Sequence, residues 1–338
     1  MAMLTVEERV AACLIGTAVG DSIGLPREGL TASRARKIFG DEVHHSFLFG
    51  RGMVSDDTEH AAMTVIAFIQ SSGDVKHFQR SLGRELAQWL ISAPAGVGFA
   101  TLKSCLKLCI GIPASKSGVR SAGNGPAMRA PVLAALIEDW QKLIQYVDAS
   151  SRVTHTDIQA VEGARLLAMV TRLLIEGHPQ PLEEAIRFVH LSDSWTEALE
   201  SLRVAESLST ERFARELVGG DGVSGYILHT VPVVLHAVLR NGPDYGGAIR
   251  SLIHCGGDTD TTAAIAGGMI AAAHGQDGIP EAWRDGIRDW PYSLRSLRAH
   301  STMRTSLPQF LRHPLPLRWA RNALFLAAVL GHAVRRIF

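Results

Sequence analysis

The sequence lacks most of the features that would betray a function through composition alone. It has no excess of basic charge: 34 lysines and arginines stand against 33 aspartates and glutamates, a formal net charge of +1. That balance argues against a generic nucleic-acid binder, whose footprint is a strongly basic surface. Only four cysteines occur, Cys13, Cys105, Cys109 and Cys255, without disulfide-framework or zinc spacing. Such usage fits a reducing compartment, so a cytoplasmic location is expected. Cys105 and Cys109, four apart, are expected to share a helix face as small apolar residues. No stretch approaches the roughly 18 uncharged apolar residues of a membrane-spanning helix. The opening MAMLTVEERVAACLIG has no basic leader and places acids before a short apolar run, so it does not read as a signal peptide. Alternating strand patterns are scarce, and neither an internal repeat nor a low-complexity linker is evident.

What is present is helical periodicity. Hydrophobic residues make up 46 % of the 338 positions, enough for a sizeable core. EHAAMTVIAFIQSS (59–72), DIQAVEGARLLAMVTRLLIEG (157–177), PLEEAIRFVHLS (181–192) and TVPVVLHAVLRNG (230–242) all carry apolar residues at a period near 3.6. Gly177 and Pro179 stop one helix, and Pro181 with Glu183 and Glu184 starts the next. The expectation is an all-α chain of roughly ten or more helices packed as one body.

Acidic residues cease after Asp289, while Arg295, Arg298, Arg304, Arg312, Arg318, Arg321, Arg335 and Arg336 accumulate. RHPLPLRWARNALFLAAVLGHAVRRIF (312–338) reads as a proline-broken lead-in and a basic apolar helix. We expect this helix to dock on the core with its arginines in solvent. A membrane surface or a partner protein is the alternative contact.

Two acid pairs carry the chemical signal. HCGGDTDTTAAIAGGMIAAAHG (254–275) sets Asp258 and Asp260 at the mouth of an uncharged helix, and GRGMVSDDTEHAAM (50–63) does the same with Asp56 and Asp57. Taken singly, each pair could simply favour the positive end of a helix dipole. Taken together they are harder to satisfy, because buried unpaired carboxylates are strongly destabilising. No lysine or arginine lies within SDDT or GGDTDT. Hard divalent cations would resolve this, taking carboxylate, hydroxyl and water oxygens. A pair of such ions could orient a substrate and activate a water. Two weaker elements accompany the pairs. In IGTAVGDSIGLPREG, Gly16 and Gly20 allow close helix packing, and Gly24-Leu25-Pro26 should end the helix so that Glu28 emerges on a loop. RSAGNGPAMRAP (120–131) offers glycine amides ahead of a helix, suited to an anion.

In this order, GDSIGLPRE (20–28), SDDT (55–58), GNGPAMR (123–129), SRVTH (151–155) and GGDTDT (257–262) resemble the ADP-ribosylglycohydrolase family. SGYILHTVPVVLHAV (224–238) resembles the penultimate helix of that family. The resemblance implies an all-α orthogonal multi-helix bundle over residues 1–295, with 296–338 as an Arg-rich C-terminal extension. It implies a site for two Mg2+ ions, Mn2+ being the alternative, at the floor of a cleft. Ser55, Asp56 and Asp57 would bind one ion, Asp258 and Thr261 the other, with Asp260 between them. Glu28 and Asp57 are the implied catalytic carboxylates, and Asp21 would orient ligands or waters. Gly123, Asn124, Gly125 and Met128 would line the pyrophosphate and distal ribose, and His155 the adenosine end. Ser55 stands for the commoner threonine and keeps the hydroxyl. Gly96-Val97-Gly98 occupies the place where arginine-directed members often carry Asp-Val-Gly, so arginine specificity is not implied.

The implied reaction is hydrolysis of the bond between the anomeric carbon of ADP-ribose and an acceptor on a protein or small molecule. The alternative is an ADP-ribose-binding regulator, or an antitoxin-like partner of an ADP-ribosyltransferase, without turnover. A monomer making no stable nucleic-acid complex is expected. His60 is a candidate to support a ligand, and Trp195 and Tyr226 are candidates to stack on substrate, although each residue type also serves a core.

Overall fold

The computed structural model describes residues 4–47, 49–301 and 314–336. Among these, eighteen α-helices dominate, and strand is confined to one two-residue pair. The first six helices are α1 (Val6–Gly24), α2 (Ala32–Phe39), α3 (Asp56–Ser71), α4 (Val75–Ile91), α5 (Phe99–Cys109) and α6 (Ala114–Ser117). Next come α7 (Ala130–Leu136), α8 (Trp140–Thr154), α9 (Ile158–Ile175), α10 (Pro181–Phe188), α11 (Thr196–Val204) and α12 (Thr210–Val218). The last six are α13 (Ile227–Asn241), α14 (Tyr245–Cys255), α15 (Thr259–His274), α16 (Glu281–Gly286), α17 (Leu294–Ser301) and α18 (Leu315–Arg335). β1 (Leu30–Thr31) pairs antiparallel with β2 (Gly256–Gly257), Leu30 opposite Gly257. The all-α expectation holds, and each helix read from periodicity is present.

The centre of the body is the pairing of α1 with α15. Every residue from Ala12 to Gly24 of α1 and from Thr259 to Ala272 of α15 is buried. Helices apolar on all sides belong inside a large core, and these two touch through glycine. Gly16 lies against Gly267, Gly20 against the Ala263 carbonyl and Gly24 against Asp260, so tightly that a Cβ at any of the three would overlap backbone. The Tyr245 hydroxyl of α14 seals this contact by donating to the Gly16 carbonyl at 2.7 Å. Because Gly20 precedes Asp21 and Gly24 meets Asp260, the crossing that packs the core also sets the distance between the acid motifs.

The local signals act as read at the end of α1. The helix stops at Gly24, a 3-10 turn spans Leu25–Arg27, and Glu28 follows on an exposed edge. Two expectations need correction. Cys105 is buried, while Cys109, at the last turn of α5, is exposed, its thiol donating to the Ala87 carbonyl of α4 at 3.6 Å. The C-terminal helix docks, yet its polarity is inverted. Arg318, Arg321 and Asn322 are buried against the body, while Leu317, Trp319, Leu324, Leu326, Leu330 and Val334 face solvent at 46–56 % exposure. The reason is that the body offers this helix carboxylates and carbonyls, with one small apolar cluster taken by Phe325. Arg304 and Arg312 lie outside the described residues. Among the described residues, no helix is long and apolar enough to cross a membrane. The expected boundary at 295/296 falls inside α17, which packs on α1 and α3.

The glycine crossing generates a stability prediction. Gly20→Ala should lower the unfolding free energy by about 2 kcal/mol or more, the cost of forcing atoms into a filled core. Gly220→Ala, where nothing lies within 4 Å of the added carbon, should stay within about 0.5 kcal/mol. Urea titration of both variants checks this, and equal midpoints would contradict the role given to the crossing.

Candidate active site

The site is assembled on Asp21. Its carboxylate is fully buried on α1 and accepts from the Ser55 backbone amide at 3.0 and 2.9 Å, the Thr58 amide at 3.2 Å and the Thr58 hydroxyl at 2.5 Å. A helix start leaves backbone amides without partners, and its dipole favours negative charge. Asp21 answers both needs for α3 from a different helix. Burial raises its pKa to about 7, against the pull of those hydrogen bonds. The first turn of α3 then presents Asp57, 1 % exposed, and the half-buried Asp56.

The facing wall begins at β2. Gly256 and Gly257 take φ of +72° and +81°, which a side chain would resist. The Asp258 amide donates to the Val223 carbonyl at 2.7 Å. Asp260 and Thr261 follow in the first turn of α15, and the Thr261 hydroxyl donates to Asp57 Oδ2 at 3.2 Å. That single bond joins motifs 204 positions apart. A third segment enters through Asn124, whose amide donates to Asp258 Oδ2 at 2.6 Å and to the Thr230 hydroxyl at 3.1 Å. Glu28 stands at the mouth. With Gly29, Thr31, Gly222, Ser224 and Asp258 it lines a cleft of about 480 Å³.

The electrostatics are those of crowded acids. Asp56, Asp57 and Asp260 are all held well above the usual carboxylate range, chiefly by burial. Neighbouring carboxylates add to this: Asp56, Asp21 and Asp258 act on Asp57, while Glu28, Asp258 and Asp57 act on Asp260. Oδ1 of Asp57 and Oδ1 of Asp260 are buried without a hydrogen-bond partner. Unsatisfied buried oxygens of this kind need a cation or a proton. Among the described residues, no three His, Cys, Asp or Glu side chains are grouped closely enough to hold an ion by themselves. Mg2+ does not require such a cage, since it retains waters and is commonly bound through one or two carboxylates. With the Ser55 and Thr261 hydroxyls beside the orphaned oxygens, the residues fit a hydrated divalent ion that keeps open positions.

The glycine segment sits one layer away. A Cβ at Gly125 would fall 2.6 Å from His155 Cε1 and one at Gly123 3.2 Å from His155 Nε2, so the loop lies directly on that imidazole. His155 is 3 % exposed and its pKa is pushed down to about 3 by burial and by Arg129, which keeps the ring neutral. The structure thus puts His155 beneath the loop, and Met128 is buried in the turn that follows. His60 turns toward Arg129 at 3.1 Å and packs edge-on to Trp89 rather than supporting the acids. Trp195 is fully buried in the core. Tyr226 remains 37 % exposed beside the Gly123 segment. Thr58 and Thr230, which lie in quoted motifs but carry no assigned role there, bond Asp21 and Asn124, and the Asp221–Gly225 loop joins the site's wall. The glycines of DGVSG just ahead of α13 were the signal for the last.

The ADP-ribosylglycohydrolase family model matches residues 2–309. The chain is 30 % identical over 296 residues to a protein of Archaeoglobus fulgidus, covering 84 % of this chain and 92 % of that one. It is 27 % identical over 289 residues to the ADP-ribosyl-[dinitrogen reductase] glycohydrolase of Rhodospirillum rubrum, covering 82 % and 90 %. Identity to the ADP-ribosylhydrolase ARH3 of Homo sapiens is 27 % over 199 residues, half of this chain and 54 % of that protein. A solved structure described as an ADP-ribosylglycohydrolase-related protein complex superposes with a TM-score of 0.66, covering 88 % of this chain and 97 % of that one. At 24 % identity it supports the fold. With two acid-bearing helix starts facing each other and a family match over nearly the whole chain, the protein belongs to the ADP-ribosylglycohydrolase family, enzymes that hydrolyse ADP-ribose glycosyl bonds.

Proposed function

We propose that the protein releases ADP-ribose from an ADP-ribosylated protein or small-molecule conjugate by metal-assisted hydrolysis at the anomeric carbon, reversing the modification. The observation that carries this reading is the meeting of Asp57 with Thr261, with two carboxylate oxygens buried and unpartnered beside them. Ser55, Asp56 and Asp57 would hold one Mg2+, and Asp258 and Thr261 a second, with Asp260 shared; Mn2+ is the alternative ion. When bound, such ions supply positive charge for ribose hydroxyls and make a water more acidic.

The chain's own groups do the rest. Asn124 fixes the Asp258 carboxylate by a 2.6 Å bond and so sets its orientation before substrate arrives. Asp57 Oδ2 is engaged by the Thr261 and Ser55 hydroxyls at 3.2 and 3.4 Å, which leaves Oδ1 to accept a proton from an attacking water. Glu28, at the open edge, is placed to exchange a proton with the departing acceptor. Carboxylates around the anomeric carbon favour the oxocarbenium-like charge of glycoside cleavage. Gly123 and Gly125, kept free of side chains by the ring beneath them, would let a pyrophosphate approach the backbone closely. The family match and the hydrolase relatives favour turnover over a regulator that binds ADP-ribose without cleaving it.

The deciding experiment is release of free ADP-ribose from arginine, serine and ester conjugates, each with Mg2+ and with chelator. Release from one linkage class, abolished by chelator and restored by Mg2+, is expected. Full activity in chelator would remove the metals from the mechanism. Asp260→Asn should reduce turnover by about 100-fold or more while preserving the helical circular dichroism. Its metal-free melting temperature should equal or exceed that of the wild type, because one buried like charge is gone, and the rise produced by Mg2+ in the wild type should vanish. Asn124→Ala should raise the Mg2+ concentration for half-activity by about 10-fold or more; an unchanged midpoint would dissociate Asn124 from the ion site.

A further inference from the structure

The family match ends at residue 309, and α18 begins at Leu315. This helix nevertheless touches two of the backbone segments that border the site, the one leading into Ser55 and the turn carrying Glu28. At its first turns it is anchored to the end of α4: Asn322 Nδ2 donates to the Ser92 carbonyl at 2.7 Å and Trp319 Nε1 to the Ile91 carbonyl at 2.9 Å. Arg321 comes next, buried and paired with Glu59 at 3.0 Å and Asp289 at 2.5 Å. It also donates to the Val54 carbonyl at 2.8 Å, while Asp289 accepts from the Val54 amide at 3.0 Å. Both backbone groups of the residue before Ser55 are therefore held by one ion pair. Phe325 closes a small apolar cluster with Leu25, Phe47 and Met53. At the far end Arg336 donates to the Glu28 carbonyl at 2.9 Å, the Pro26 carbonyl at 2.7 Å and the Leu25 carbonyl at 3.4 Å. Arg34 in turn donates to the Arg336 carbonyl at 2.8 Å.

A 3-10 turn has poor internal hydrogen bonds, and the Glu28 and Gly29 that follow this one are exposed. Within this one, the Glu28 amide reaches the Leu25 carbonyl only at 3.3 Å. The better tethers come from outside: the Gly29 amide bonded to the Gly257 carbonyl at 2.8 Å on one side, and the Arg336 fork on the other. A planar guanidinium holds five donors in a fixed, spread fork, a layout that the three donors on a single ammonium nitrogen do not reproduce.

We propose that α18 is a strap of the active site, with Arg336 a positioning residue that fixes the Glu28 turn against the cleft, and Arg321 fixing the backbone that leads into Ser55. The proposal rests on the hydrolase reading for its consequence in turnover, and on geometry alone for its effect on the turn. Arg336→Ala, in the full chain with Mg2+, should lower kcat for ADP-ribose release about 10-fold or more, since small displacements of a reacting group are costly. KM should move less than about 2-fold. Arg336 hydrogen-bonds none of Asp57, Asp258 and Asp260, but its charge acts on Asp260, so it is in Arg336→Lys, which keeps that charge, that the Mg2+ dependence of melting should not change. Amides of residues 28–30 should exchange hydrogen about 10-fold faster, while those of residues 57–60 stay protected. Arg336→Lys should remain impaired, because it keeps the charge and loses the fork. Wild-type turnover in Arg336→Lys, or unaltered exchange at 28–30 in Arg336→Ala, would overturn the proposal. If the wild type releases no ADP-ribose from any conjugate, it is the hydrolase reading that fails, and the exchange measurement still decides whether the strap holds the turn.

Discussion

Two backbones in van der Waals contact govern this molecule. Where α1 crosses α15, Gly16, Gly20 and Gly24 meet Gly267, Ala263 and Asp260 with no room for a side chain. Asp21 follows Gly20 directly, so its carboxylate reaches the start of α3 and organises Ser55 and Thr58. Asp260 and Thr261 open α15, so the latter reaches Asp57. Spread the crossing by the width of a methyl group and both links lengthen together. Core packing and site geometry are in this sense one structural fact.

The arrangement concentrates like charge where water is scarce. Burial and mutual repulsion hold Asp56, Asp57 and Asp260 well above the ordinary carboxylate range. The apolar helices on either side supply the stability that offsets this, as expected when a functional site violates the rules its surroundings obey. Charge is balanced over the whole chain but not locally. Acids gather at the cleft, and arginines gather after residue 290. The fold brings one to the other without neutralising the cluster. Arg321 spends its charge on Glu59 and Asp289, and Arg336 directs its donors at carbonyls. The central carboxylates are thereby left available to ions and substrate.

Legibility differed by kind of signal. The helices were plain because a buried stripe recurs at a fixed period whatever it packs against. The break after Gly24 and the emergence of Glu28 were equally plain, since proline and glycine act on their own backbone. Failures came where a neighbour decides. Arg318 and Arg321 read as solvent-facing because arginine on an amphipathic helix usually is, and only Glu59, Asp289 and Ser92 on other elements draw them inward. Arg129 meets His60 Nδ1 at 3.1 Å inside the body, a pairing across 69 positions that no local pattern encodes. His155, read from its motif alone, packs against Gly123 and Gly125 about 30 positions away in sequence, a contact that only the fold supplies.

By itself the sequence determined that its periodic segments are helices, that Gly24 and Gly177 stop two of them and Pro181 starts another, and that carboxylates, hydroxyls and glycines of the right kinds stand at two helix starts. Those properties follow from hydrogen bonds and torsions within a few residues of each position. Only the tertiary structure decided that the two starts face each other, that Asn124 orients Asp258, and that a terminal helix turns its arginines inward to hold the Glu28 turn. Such contacts join residues from about 100 to more than 300 positions apart, and their geometry is set by how whole helices pack rather than by any residue's own preference.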